Sequence, residues 1–299
     1  MVTEMIASIN VEREAWLAGR RNGIGASDAP AALGISPFKS RGDLWAEKTG
    51  LVEPPDLSDN EAVEWGLRLE EPIAIAYADR TGRGVTLCAP FSSQSHSTLE
   101  WLMCTPDAIQ SARDRECNGL LQIKTTSAFN ASDWSDGPPL YYQVQLQHEL
   151  FVTGYPWGTL CCLIGGQKLV WFDQERNDQF IQAMLPKLSE FWGCVQTKTR
   201  PAEANFSAEV VKAMHPNDNG ESVFLPAEAA KWAQAAEEAA ELRKNAEARE
   251  KAAKTLLAAA IGDASYGILP DGTTYSYKTQ TRKAHTVAES TFRVLRKCK

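Results

Sequence analysis

At 299 residues and 43% hydrophobic, the chain is long enough to bury a full core and to carry an appendage beyond it. Its net charge of -7 gives no support by itself to a polyanionic partner, although an acidic average can hide a local basic track. Seven cysteines, odd in number and without a C-x-x-C pair, argue against a zinc or iron–sulfur site and for a reducing cytoplasm; there is no signal-peptide pattern and no apolar run of membrane-spanning length.

Residues 11–20 read as a short helix with Val11, Trp16 and Leu17 on its apolar side. The stretch Arg20-Arg21-Asn22-Gly23-Ile24-Gly25-Ala26-Ser27-Asp28 then makes a tight turn through two glycines, with Ser27 or Asp28 placed to cap a helix over 29–34. A hydroxyl, an arginine and N–H groups at a helix start can hold a phosphate; an ordinary capped turn with surface arginines fits the same spacing. A helix over 40–48 and a loop with Pro54-Pro55 lead to a long helix from Asn60 to about Asp79, whose Leu69, Ile73 and Tyr77 form a core stripe. Glu70 borders that stripe, so it faces either a cleft or a solvated edge.

Strands are expected over 84–89 and 98–104, the second leading into Thr105-Pro106-Asp107, and another over 119–125 after a polar turn at 111–118. In that last strand Leu121 and Ile123 point one way and Gln122 and Lys124 the other, and a tight return brings Asp107 beside the polar pair. A buried acid and lysine on adjacent strands are costly unless paired, and a divalent metal with a phosphate would pair them. Residues 127–138 read as an exposed loop and Tyr141–Thr153 as a helix carrying Gln143, Gln145, Gln147 and His148, whose glutamines suit a surface. Gly165-Gly166 joins two strands, 157–164 and 168–172, as a hairpin. An amphipathic helix over 176–196 buries Phe180, Ile181, Met184, Leu188, Phe191 and Trp192.

Residues 197–225 are weakly periodic and contain the boundary, giving a core over 1–200, a linker over 201–225 and a C-terminal arm over 226–299. The arm opens with an Ala-, Glu- and Lys-rich helix over 226–261, roughly 54 Å long, with a thin apolar seam. A small hairpin around Pro270-Asp271-Gly272 follows. From Lys278 to Lys299 there are seven Lys or Arg against one Glu, a tail suited to a phosphate backbone, an acidic partner or plain solvation.

Taken in order, Arg20 to Ser27 with G-I-G-A-S-D, Trp65-Gly66 with Glu70, Pro106-Asp107, the strand ending Ile123-Lys124, and Gln145-Leu-Gln147-His148 running to Val152-Thr153-Gly154 resemble the YqaJ-type viral recombinase family. That family is related to phage lambda exonuclease within the PD-(D/E)xK nuclease superfamily, and the resemblance covers residues 14 to about 196. It implies an α/β (α+β) fold with a mixed central sheet flanked by helices, and Mg²⁺-dependent 5′→3′ digestion of one strand of duplex DNA, with Mn²⁺ as a substitute. The product would be a 3′ single strand for an annealing protein, made in the cytoplasm of a bacterial host by a phage or prophage enzyme that assembles as a ring trimer around DNA.

The same resemblance implies site residues. Asp107 and Glu70 would be metal-binding carboxylates, with the Ile123 carbonyl as a further ligand. Lys124 would be the signature lysine, and Gln145 and Gln147 would border the site, Gln145 with the catalytic residues and Gln147 with those that bind DNA. Arg20 and Ser27 would hold the 5′-terminal phosphate. One departure stands out: the family's acid two residues before the lysine is here Gln122. A carboxamide keeps the shape and one acceptor oxygen but loses the charge. This leaves a natural variant that still cuts, an engineered trap, or a non-catalytic DNA-end-binding or assembly module built on the same fold.

Overall fold

A computed structural model describes residues 15–57, 59–202 and 204–281. The start of the expected 11–20 helix and the basic tail beyond residue 281 lie outside them. The chain divides into two compact units, Met1–His215 and Pro216–Lys299.

The first unit is built on a five-stranded sheet of order β2-β5-β6-β7-β8: β2 (Gly84–Leu87), β5 (Ala108–Ser111), β6 (Gly119–Thr126), β7 (Trp157–Ile164) and β8 (Lys168–Glu175). All neighbours are antiparallel except β6 and β7, which run parallel with Gln122 opposite Leu160 and Lys124 opposite Cys162. A parallel pair needs a crossover, and α4 (Leu140–Thr153) provides it. A second, three-stranded sheet joins β1 (Ile24–Gly25) parallel to β4 (Leu102–Cys104), with β3 (Gln94–Ser95) antiparallel on the other side.

The alternation of β6 sets which helix covers which face. Leu121 and Ile123 pack with Ile73, Ala74 and Tyr77 of α3 (Glu61–Thr81). Leu120 faces the opposite way, onto Leu146 and Leu150 of α4. The α3 helix starts where Asn60 Oδ1 accepts from the N–H groups of Ala62 and Val63 and stops at Gly82, φ 68°. The α4 helix is buried nearly all round. Its Val144 and Val152 face a larger cluster made with Ile24, Leu102, α1 (Ala29–Ala32), α2 (Arg41–Lys48) and α5 (Asp178–Gln196). Gly158 lets α4 lie close on the sheet: a Cβ there would meet Leu146 Cδ1 at 2.8 Å.

Several expectations shift. The 127–138 loop contains a 3₁₀ helix, Ala128–Trp134, because Trp134 buries its ring with Cys162 and Ile164. The strand expected over 98–104 is confined to Leu102–Cys104, since Leu99 O turns back to accept from Leu102 N at 2.8 Å. Within the stretch read as a linker, residues 205–214 pack on the first unit: Ser40 Oγ donates to Asn205 O at 2.6 Å, Ser207 N to Asp43 Oδ1 at 2.8 Å, and Phe206 meets the Trp45 ring. A short helix α6 (Ala208–Met214) closes that segment.

The second unit carries α7 (Ala229–Ile261) and the hairpin β9 (Tyr266–Ile268) with β10 (Thr274–Ser276). Trp232, Leu242 and Leu256 of its thin seam are exposed. Among the described residues no helix is long and apolar enough to cross a membrane.

Candidate active site

The chain bends at Thr105-Pro106-Asp107 between β4 and β5, and the backbone there is tied to the neighbouring loop by Cys88 N donating to Asp107 O at 2.9 Å. Asp107 Oδ2 accepts from Gln122 Nε2 and from the Ile123 N–H, each at 2.7 Å. The bend therefore brings the acid onto the Gln122–Lys124 face of β6, as the alternation required. Burial raises the Asp107 carboxyl, and Lys124, the Ile123 N–H and Gln122 pull it back down. Glu70 on α3 is half-buried, while Glu71 beside it is exposed. Burial and then the Asp107 charge push Glu70 up to about 7, with Lys124 opposing. Lys124 Nζ lies 5.2 Å from the centre of the Tyr142 ring of α4.

The polar residues of α4 are not a surface. Gln145, Gln147, His148 and Glu149 are all buried, so each polar atom needs a partner. Gln147 Nε2 donates to Glu175 O at 2.9 Å and its Oε1 accepts from Asn177 N at 2.8 Å. Its amide is thereby committed to the turn between β8 and α5. His148 Nε2 bonds Met103 O at 3.1 Å. Gln145 Nε2 donates to Glu149 Oε1 at 3.0 Å, one helical turn on. Burial and the Asp107 charge push Glu149 up to about 8, with Gln145 and Lys124 opposing. Gln122 Oε1, His148 Nδ1 and Glu149 Oε2 are buried without a partner among the described residues. Glu149 was missed by sequence reasoning. Its signal was there: it lies four residues after Gln145 and so on the same helix face.

The Arg20 turn is held beside the Asp107 bend. Gly25 of β1 pairs with Met103 of β4, and Trp16 Nε1 donates to Thr105 Oγ1 at 3.2 Å. The Arg20 guanidinium lies 5.0 Å over the Trp16 ring and donates to Ser27 Oγ at 2.8 Å, so the two expected phosphate residues meet. Asp28 does not cap α1 with its side chain. Its carboxylate accepts instead from Lys48 Nζ at 2.7 Å, Arg20 at 3.1 Å and Gly25 N at 3.2 Å. Burial alone would raise this carboxyl; Lys48 and Arg20 overcome it and hold it well below the usual range. Lys39 adds a further cation nearby, paired with Glu47 at 2.5 Å. Lys48 was not singled out from the sequence, because its role depends on α2 folding back onto the turn.

The donor set at the bend is made of oxygens and one amide. Among the described residues no three His, Cys, Asp or Glu side chains converge as a ready-made metal cluster. With Gln122 in an acid's place, Asp107 and Glu70 are the carboxylates at hand. Mg²⁺ suits such a site, since it is commonly held by one or two carboxylates with the remaining positions filled by substrate phosphate and water. The unpartnered Gln122 Oε1 is a further oxygen of the right kind.

Residues 15–156 match the YqaJ-like viral recombinase domain, so the resemblance read in the sequence holds over that stretch. The chain is 36% identical over 185 residues to protein YqaJ of Bacillus subtilis (strain 168), a match that takes in 61% of this chain and 56%, little more than half, of that protein. Two crystal structures share the fold: an alkaline exonuclease, LHK-Exo, from Laribacter hongkongensis (TM-score 0.50, 21% identity) and LHK-Exo in complex with dAMP (TM-score 0.52, 23% identity). Each covers 62% of this chain and 94% of its own. The mixed α/β fold of this chain is the one these two exonuclease structures have.

Proposed function

We propose that this chain is a Mg²⁺-dependent 5′→3′ exonuclease acting on duplex DNA ends, with Mn²⁺ able to substitute, and that it leaves a 3′ single strand for an annealing protein. The observation that carries the reading is the placing of the Arg20–Ser27 pair, through Trp16 and Thr105, beside the Asp107–Lys124 bend. That arrangement can grip a terminal phosphate and present the next phosphodiester to an acid and a cation.

Asp107 and Glu70, with the Ile123 carbonyl, would hold Mg²⁺, which when bound supplies charge to polarise the scissile phosphate and lowers the pKa of a water. Gln122 and the Ile123 N–H both bond one Asp107 oxygen and so fix the plane of the carboxylate. Lys124 offsets negative charge on the phosphate as it is attacked. Arg20 and Ser27 hold the chain end so that cleavage proceeds stepwise from it. A ring-shaped homo-oligomer would keep an acidic protein on DNA by enclosure, and its mass by light scattering with and without DNA checks that part.

The test is nucleotide release from linear duplex carrying a 5′-phosphate on one strand. Release from the 5′ end, lost in Lys124→Ala and faster in Gln122→Glu, is the expected result. Release from the 3′ end, or full activity in Lys124→Ala, would refute the proposal. The amide at position 122 favours one second reading, a DNA-end-binding module. End binding without release by both this chain and Gln122→Glu would establish it.

A further inference from the structure

The α4-facing side of β6 carries an unusual exchange of charge. At position 122 an amide stands among charged groups, and its Oε1 is buried without a partner. On the helix that covers this face, Glu149 is 1% exposed and also has one oxygen, Oε2, without a partner among the described residues. Glu149 sits one turn after Gln145, which donates to its other oxygen at 3.0 Å. Its neighbour His148 bonds Met103 O at 3.1 Å, which seats this turn of α4 against the strand that runs into the Asp107 bend, and the Asp107 and Lys124 charges act on Glu149 there.

A buried glutamic acid kept for structure alone would place its proton on an acceptor, since an unmade bond in the interior costs about 1–3 kcal/mol. Glu149 Oε2 has no such acceptor. An acid held there at such cost is explained by a cation that arrives later. We infer that Glu149 supplies to the Asp107 cation site the negative charge that Gln122 does not. The side chains do not converge into a three-carboxylate cluster, so Glu149 is assigned as a positioning residue that acts through its charge and not as a further ligand. With it, Asp107, Glu70 and Glu149 set three acids against Lys124, a surplus of two negative charges that matches a divalent cation. This inference rests on the metal-dependent reading of the site.

Mn²⁺ binding to the full chain, followed by calorimetry without DNA at about pH 8.5 so that the Glu149 carboxyl (pushed up to about 8) is ionised, tests it. Glu149→Gln should weaken Mn²⁺ binding at least tenfold while leaving the thermal midpoint of the metal-free protein unchanged or higher. The double variant Gln122→Glu with Glu149→Gln returns the charge to the strand, and should bind within about threefold of the unaltered chain. A merely structural glutamate would not be rescued in this way. Glu149→Gln binding Mn²⁺ as well as the unaltered chain, or a double variant as weak as the single one, would overturn the inference. Asp107→Asn separates the two levels: if it lowers binding and Glu149→Gln leaves binding unchanged, the inference fails and the metal-dependent reading stands; if neither change lowers binding, both fail.

Discussion

Replacing Asp28 by asparagine would strand a buried ammonium. The Lys48 side chain is 6% exposed and its Nζ makes two bonds, to Asp28 Oδ2 at 2.7 Å and to Arg20 O at 2.6 Å. At such a separation the gross attraction is about 6 kcal/mol for an effective dielectric constant of about 20. Much of that offsets the cost of drawing both ions out of water, and breaking a buried pair from one side costs about 3–5 kcal/mol. Asp28→Asn is therefore expected to destabilise the first unit by that amount, a drop of roughly 1–2 M in the urea midpoint at a slope of about 2–3 kcal/mol per M. Removing the stranded charge as well, in Asp28→Asn with Lys48→Met, should recover half or more of the loss. Arg20→Ala should cost under about 1 kcal/mol, because the Arg20 side chain is 30% exposed and its pairing is screened by solvent. A loss below about 1 kcal/mol in Asp28→Asn, or a double variant no more stable than the single, would refute the reasoning.

Three further outcomes are expected. Tyr77→Phe leaves Gln110 Oε1 without the hydroxyl that donates to it at 2.7 Å and should cost about 1–3 kcal/mol by urea unfolding, while the two-bond Arg83–Asp173 pair persists. Gly119→Ala should cost about 1–3 kcal/mol, since its Cβ would meet the Trp157 ring at 2.5 Å and Trp157 O at 2.8 Å. Burial holds His148 at about 4, with the Met103 carbonyl opposing, against about 6.5 when unfolded. The unfolded state then takes the proton first, so this contribution is complete above about pH 6.5 and is lost as pH falls towards 4, up to about 3 kcal/mol. Glu70 and Glu149, raised by burial, act in the opposite sense as pH rises. The difference in urea midpoint between the unaltered chain and His148→Gln, followed from pH 7 to 5, isolates the histidine; a difference that does not change with pH would sink the assignment.

Periodicity and order along the chain were enough for much of this protein. The stripe of Leu69, Ile73 and Tyr77, the alternation that puts Gln122 and Lys124 on one face, and the Gly165-Gly166 hairpin all follow from local spacing, because a helix or strand repeats at a fixed period whatever it packs against. The meeting of Arg20 with Ser27 was legible for the same reason, as both lie within one glycine turn. What the tertiary structure decided is which faces are covered twice. The α4 helix is enclosed between the five-stranded sheet and the Ile24–Leu102 cluster, so glutamines that suit a surface became buried, and Gln147 became a clasp on the 175–177 backbone. Asp28 reads as a helix cap until α2 brings Lys48 against it. Residues 205–214 read as a linker until Ser40, Asp43 and Trp45 of the same helix region bind them. Glu149 is buried because α4 is covered on both sides, and the charge of Asp107, 42 residues earlier, adds to burial in raising its carboxyl. Each of these depends on groups far apart in sequence, whose partners no local period can name.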